Sequence, residues 1–190
     1  MRIRFLLTLL AVAISACAAP SDGREQPTAA PATTTATSER PAQRPPPGLT
    51  PAVRRQPAPT MRVTAFDGRT VSLDAFRGRP VVVNFFESWC AICRAEQPDL
   101  TRVAAEFAGR AGFVGISHHD TAAAGRTYQR HFRIPYPLAN DRSGTTWARW
   151  RVSYQPVTVL VDGQGRVVRR YDGGTTGGTI RAALAYLLDE

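Results

Sequence analysis

The sequence has no lysine, and its 190 residues include only three cysteines and two methionines. The formal net charge of +9 therefore comes from arginine alone. The arginines form no basic block interleaved with aromatic residues, so the charge is weak support for nucleic-acid binding. A surface that tolerates anionic membrane lipids or cell-wall polymers fits the same charge equally well.

Cys90 and Cys93 are separated by two residues, and other features missing from the sequence exclude several possible roles for this pair. No second Cys/His pair stands at zinc-ligand spacing, which argues against a metal site. Arg94 stands where a haem attachment site requires histidine. A purely structural disulfide closing so short a loop would constrain the unfolded chain little. We therefore expect a redox pair that needs neither a metal nor another cofactor.

The surroundings of this pair predict a junction between a strand and a helix. Residues 81–86 form an apolar, β-branched and aromatic run typical of a buried strand. After the pair, Leu100, Val103 and Phe107 recur at helical spacing. Cys90 therefore lies where a helix begins, and the free N–H groups and dipole there favour its thiolate. Cys93 follows one turn later, close enough for a disulfide.

The beginning of the chain has the pattern of an exported lipoprotein. Residues 1–16 combine arginines with an apolar run that is too short to span a bilayer, and they resemble a lipoprotein signal peptide. Cys17 then stands where the lipid-modified residue is expected. Residues 17–60 are rich in Pro, Ala and Thr, which predicts a disordered tether. The folded domain is predicted to occupy residues 61–190, outside the reducing cytosol.

Strands alternate with helices through the predicted domain and end in a hairpin. This order predicts an α/β fold in which a central mixed sheet is flanked by helices. An Asp-Gly turn at residues 67–68 predicts a β-hairpin at the start of the domain. Further segments predict strands at residues 112–116 and 157–161, helices at 121–132 and near the C-terminus, and a strand completing the second hairpin at 166–171.

Residues 84–98 read NFFESWCAICRAEQP and resemble the active-site segment of the thioredoxin superfamily. The segment is most similar to the membrane-tethered TlpA/ResA/DsbE branch, and the resemblance runs from about residue 61 to 190. It implies a thioredoxin-like fold, with the segment between Ile116 and Ser143 as a TlpA-type insert. Ala91 and Ile92 depart from the x-Pro that the branch usually has between its cysteines.

The resemblance also implies roles for individual residues. Cys90 would be the attacking thiolate and Cys93 the resolving thiol, while Glu96 would exchange a proton near them. The alternative for Glu96 is a solvated helix carboxylate. Trp89, Gln155 and Pro156 would form a substrate groove, with a cis Gln155–Pro156 bond facing the disulfide.

Four further residues could take part in the chemistry of the site. Asn84 stands where thioredoxin has a buried aspartate, and a neutral amide cannot accept a proton there, which favours Glu96 as the acid–base group. Glu87 stands where the family usually has a small residue. If it is buried, it could also serve as an acid–base group, and if it is exposed, it has no such role. His118 and His119 follow a strand end, but no neighbouring ligand spacing supports a metal there.

The implied function is extracytoplasmic thiol–disulfide exchange by a protein that a lipid anchors to the cell membrane. Its partners would be exported proteins with thiols or disulfides, including apocytochromes c, and a membrane redox partner. The E-x-P segment favours a reductase, with a disulfide-forming oxidant as the alternative. A peroxiredoxin-like peroxidase would place a Thr-x-x-Cys motif at Cys90, where Ser88 and Trp89 stand instead. A Cu(I) chaperone suits soft thiolates but lacks additional Met or His ligands.

Overall fold

The computed structural model describes residues 44–190, in which seven strands form one sheet. The strands are β1 (Arg62–Ala65), β2 (Thr70–Ser72), β3 (Val81–Phe85), β4 (Gly112–Ser117), β5 (Leu138–Asn140), β6 (Val157–Val161) and β7 (Val167–Asp172). The helices are α1 (Ala91–Glu106), α2 (Ala122–His131), α3 (Thr145–Arg149) and α4 (Gly177–Asp189), with 3-10 turns at Ala52–Arg54 and Leu73–Phe76. Within this part of the chain, no helix combines the length and apolar character needed to cross a bilayer.

The sheet has the strand order β2-β1-β5-β4-β3-β6-β7 and mixes both strand directions. The central strands β3, β4 and β5 are parallel, whereas β6 and β7 on one side and β1 and β2 on the other run antiparallel to their neighbours. Both predicted hairpins are confirmed. The predicted insert supplies α2 and β5, and β5 joins the first hairpin to the parallel core.

Strand β3 is buried along its whole length because helices cover both faces of the sheet. Its side chains alternate between two apolar clusters, as strand geometry requires. Val82 belongs to the cluster that includes residues of α1, α2 and α4. Val83 and Phe85 belong to the cluster on the opposite face, which includes Trp147 of α3. This two-sided burial fixes the end of β3, from which the chain continues to Cys90.

The folded region begins earlier than the sequence predicts. Thr50 N–H donates to Val168 O at 2.9 Å, and Val167 N–H donates to Gln56 O at 2.8 Å, so this segment pairs with β7. Leu49 is buried in the core. The predicted boundary at residue 61 and the predicted disorder up to it are therefore wrong for residues 49–58. Residues 1–43, including Cys17, lie outside the described residues.

A buried arginine explains why this polar segment is ordered. The guanidinium of Arg55 donates to both carboxylate oxygens of Glu190, at 2.6 and 2.9 Å, and to Asp162 at 3.3 Å. Its Nε donates to Thr50 O at 2.9 Å. The Arg55 side chain is only 1% exposed, so two carboxylates distant in sequence compensate its desolvation.

We expect Arg55→Ala to lower the free energy of unfolding by about 3 kcal/mol, because it removes a buried cation and leaves buried Asp162 with only Arg166, at 3.0 Å, as a charged partner. Urea unfolding of the full-length chain measures the change. Arg69→Ala is the matched control, since it removes an arginine from an exposed pair with Asp67, and we expect a much smaller effect. Equal effects of the two variants would contradict the structural role of Arg55.

Candidate active site

Cys90 lies at the junction between β3 and α1, where it is the N-cap residue of the helix. Cys93 is in the first turn of α1, and the two cysteines form a disulfide with a Cα–Cα distance of 5.3 Å. Cys93 N–H donates to Cys90 Sγ at 3.2 Å. A backbone donor at the positive end of a helix stabilises negative charge on that sulfur. Cys90 is 8% exposed and Cys93 1%, so Cys90 is the more accessible sulfur.

Apolar side chains are unusually exposed next to the cysteines in the sequence. Trp89 is 64% exposed and Ile92 56%, and Tyr154, close to Pro156, is 51% exposed. When several large apolar side chains are exposed next to one another, the surface that they form is characteristic of a site that binds a partner. Trp89, which the resemblance places in a substrate groove, is therefore available for contact.

The predicted cis bond between Gln155 and Pro156 is present. Pro156 is buried just before β6, whose first residue, Val157, pairs with Phe85 at the end of β3. Gly173 N–H donates to Pro156 O at 3.0 Å. Pro156 therefore lies at the sheet edge from which the chain continues to Cys90. Its contact with the disulfide stays a prediction.

Glu96 is buried one turn beyond Cys93, so it is not the solvated carboxylate of the alternative reading. Asn84 Nδ2 donates to Glu96 Oε1 at 3.0 Å, and Thr175 N–H donates to Oε2 at 2.9 Å. Burial raises the pKa of Glu96, and the hydrogen bonds from Thr175 and Asn84 partly oppose this rise. The carboxyl therefore holds a proton at higher pH than an ordinary glutamate does.

A buried polar network, which was not predicted from the sequence, begins at the main-chain carbonyl of Cys93. Tyr128 O–H donates to Cys93 O at 3.2 Å and is 3.4 Å from Gln97 Oε1. Gln97 Nε2 in turn donates to Tyr136 O–H at 2.7 Å. Burial raises the pKa of both tyrosines far above the usual range, so both hydroxyl groups remain neutral. No local pattern signals this network, because its members come from α1, α2 and the segment before β5.

Two further carboxylates are buried beside the chain that enters the active site. Glu87, which the sequence marks as unusual, has no exposed surface and accepts hydrogen bonds from the turn after β4. Asp120, in that turn, accepts from Ser88. His118 Nδ1 contacts Asp141 O at 2.8 Å. Within residues 44–190, no cluster of three or more His, Cys, Asp or Glu side chains could hold a metal ion.

The mixed sheet, the disulfide at the start of α1 and the cis-proline before β6 define the class: the protein has a thioredoxin-like fold with a Cys-x-x-Cys centre. The chain belongs to the AhpC/TSA family, whose sequence model matches residues 55–170. Relatives by sequence named DsbE and HelX agree with the predicted resemblance to the TlpA/ResA/DsbE-like branch of the thioredoxin superfamily.

Several relatives by sequence are named for thiol:disulfide interchange. A DsbE homolog of Paracoccus denitrificans is 36% identical over 93 residues, which is 48% of this chain and 50% of the relative. HelX of Rhodobacter capsulatus is 32% identical over 108 residues, or 56% of this chain and 60% of the relative. The chain thus spans about half or slightly more of the length of these curated relatives.

Solved structures agree with the fold. A secreted disulfide oxidoreductase of Mycobacterium tuberculosis, homologous to E. coli DsbE, is 27% identical with a TM-score of 0.61. The match covers 67% of this chain and 96% of the other. A secreted thiol-disulfide isomerase of Corynebacterium glutamicum has a TM-score of 0.69 at 24% identity, covering 75% of this chain and 91% of the other. This second likeness supports the fold alone.

The raised pKa of Glu96 predicts how stability depends on pH. The folded state holds the proton more tightly than the unfolded chain, so this contribution is complete below the unfolded pKa, about 4.3, and is lost as the pH rises through the folded pKa. We therefore expect the parent protein to lose stability relative to Glu96→Gln as the pH rises. Urea unfolding of both proteins at a series of pH values measures the difference.

Asp99 is the matched control because it lies three residues further along α1 and accepts Gly177 N–H at 2.8 Å. This hydrogen bond lowers the pKa of Asp99. Its stabilising contribution is therefore present above the unfolded pKa and is lost as the pH falls through the folded pKa. Asp99→Asn should consequently show the opposite pH trend. A pH-independent difference between the parent and Glu96→Gln would contradict the raised pKa.

Proposed function

We propose that this protein is an extracytoplasmic thiol–disulfide oxidoreductase that reduces disulfides through Cys90 and Cys93. The observation that carries the proposal is the disulfide at the start of α1, in which the more exposed sulfur also accepts a helix N–H. This arrangement gives one thiol that attacks and a second, buried thiol that resolves. The names of the relatives and the E-x-P segment support the same chemistry.

The reduced protein begins the reaction with Cys90 as a thiolate. Cys90 attacks one sulfur of a substrate disulfide, so a mixed disulfide forms and the other substrate sulfur leaves as a thiolate. Cys93 then loses its proton and attacks Cys90 Sγ, which releases the second substrate sulfur. Two electrons pass to the substrate, and the Cys90–Cys93 disulfide remains. A membrane redox partner of dithiol chemistry restores the reduced pair.

Glu96 is the proposed acceptor of the Cys93 proton. It follows Cys93 by one helical turn, and burial raises its pKa toward that of a thiol. Asn84 is a neutral amide and cannot take this proton. In the reverse direction, the protonated carboxyl returns the proton when Cys93 leaves the disulfide.

The proposed substrates are exported proteins with cysteine pairs, and the branch resemblance implies apocytochromes c among them. The exposed ring of Trp89 offers an apolar contact beside Cys90. Pro156 has no N–H, and the half-buried Gln155 stands before it at the same sheet edge. An extended substrate segment would pair with the backbone at Gln155 and place its sulfur against Cys90.

Because the two cysteines have different roles, we expect their serine variants to behave differently. Cys90→Ser should abolish turnover, whereas Cys93→Ser should accumulate mixed disulfides through Cys90, because the resolving thiol is missing. Non-reducing electrophoresis with mass spectrometry of the trapped species measures this and names the substrate. In the reduced parent, limiting iodoacetamide should label Cys90 first. Preferential labelling of Cys93 would reverse the two roles.

Anchoring to the membrane is the part of the proposal that concerns residues outside the described range. With residues 1–16 as a signal peptide, the mature chain would begin at Cys17 and carry acyl groups. We expect the intact mass of the exported protein to show a diacylated or triacylated Cys17, and Cys17→Ala to release the protein from membranes. An N-terminus elsewhere without lipid mass would refute the anchor.

A further inference from the structure

Glu87 is a fully buried carboxylate whose hydrogen bonds come from one short segment. Ser117 Oγ donates to its Oε2 at 2.8 Å, and the N–H groups of His118 and His119 both donate to Oε1 at 2.9 Å. His119 Nδ1 lies 3.2 Å from the same oxygen. Burying a carboxylate is costly unless such donors compensate its lost hydration. Glu87 is therefore held firmly to residues 117–120, here called the β4 turn.

Asp120 makes a second connection between the same two segments, with the acceptor now on residues 117–120. It lies in the β4 turn, is 5% exposed, and accepts from Ser88 N–H at 2.9 Å and Ser88 Oγ at 2.6 Å. Asp120 N–H also donates to Ser117 Oγ at 3.0 Å, which ties the two carboxylates into one network. Residues 87–90, here called the active-site turn, are thus fastened to the β4 turn by an acceptor on each side.

The active-site turn leads directly into the reactive cysteine. Cys90 N–H donates to Glu87 O at 3.1 Å. Ser88 O accepts from Arg94 Nη1 at 3.2 Å, which joins the turn to the first turns of α1. The main chain before Cys90 is therefore fixed at Glu87 and Ser88 by the β4 turn and, at Ser88 O, also by Arg94 of α1.

We propose that Glu87 and Asp120 are positioning residues for the Cys90 thiolate, an inference that rests on the proposed function. When the disulfide is reduced, no bond between the two sulfurs holds Cys90 Sγ in place. The active-site turn then keeps Cys90 Sγ against Cys93 N–H, and the two carboxylates hold that turn. The hydrogen bonds of the two carboxylates join residues 87–88 to residues 117–120, so their effect reaches the reacting sulfur through the position of the main chain.

Two substitutions at Glu87 separate position from charge. Glu87→Ala removes the acceptor for three donors. Glu87→Gln keeps an oxygen for the N–H groups of His118 and His119, and its amide can donate to Ser117 Oγ. Both remove a negative charge, which alone would stabilise the Cys90 thiolate in both variants. Loss of position instead destabilises the thiolate in the alanine variant only.

The test measures alkylation of Cys90 by iodoacetamide against pH in the reduced full-length chain, followed by the mass of the Cys90 peptide. We expect Glu87→Ala to reduce the rate at pH 7 at least fivefold and to raise the midpoint of the pH profile. Glu87→Gln should restore the rate to within twofold of the parent. Ser88→Ala, which removes only one bond to Asp120, should reduce the rate about threefold, outside the twofold range that counts as parent-like, and serves if the alanine variant does not fold.

Asp162→Asn is the matched control, because Asp162 is a buried carboxylate that accepts backbone N–H groups at the opposite end of β6. It should leave the profile unchanged. The proposal is overturned if folded Glu87→Ala or Ser88→Ala reacts like the parent, if both Glu87 variants lower the midpoint, or if the control shifts it equally. Alkylation needs no substrate, so a parent without reductase activity would refute the proposed function and leave this test intact.

Discussion

The hydrogen bond from Cys93 N–H to Cys90 Sγ is the interaction on which the site depends. It exists because α1 begins immediately after Cys90, and α1 begins there because β3 ends in a fixed place between two apolar clusters. A disulfide between two residues of one helical turn constrains little of the unfolded chain. The fold therefore stabilises the pair, and the pair contributes little to the fold, so the bond is free to open and close.

The segments around the start of α1 contain three buried carboxylates, those of Glu87, Asp120 and Glu96. None of the hydrogen bonds that these carboxylates accept comes from an arginine. Backbone N–H groups, together with serine, asparagine and histidine side chains, compensate them instead. Such donors fix direction as well as charge, because each N–H belongs to a main chain that cannot rotate freely. The arginines make structural contacts elsewhere in the fold. Arg55, for example, joins segments that are far apart in sequence.

The sequence allowed the centre of the molecule to be predicted, but not its periphery. The continuous apolar run at residues 81–86, the helical spacing of the apolar residues after it and the Cys-x-x-Cys spacing are local signals, and they predicted β3, the start of α1 and a disulfide. The order of residues 49–58 depends on Arg55 meeting Asp162 and Glu190, more than 100 residues later, and no local pattern reports that. The burial of Glu96 likewise follows from tertiary contacts.

Proton uptake by Glu96 also has a mechanical consequence. Asn84 Nδ2 donates both to Glu96 Oε1 and to Thr158 Oγ1, so the amide is held from two sides and cannot follow the carboxyl. Glu96 Oε2 accepts from Thr175 N–H in the loop before α4. When one carboxyl oxygen becomes a hydroxyl, it accepts less strongly than a carboxylate oxygen. In the proposed mechanism, the proton from Cys93 would therefore weaken a bond from Glu96 to either β3 or this loop. Because Asn84 is held from two sides, the loop is the part that would adjust.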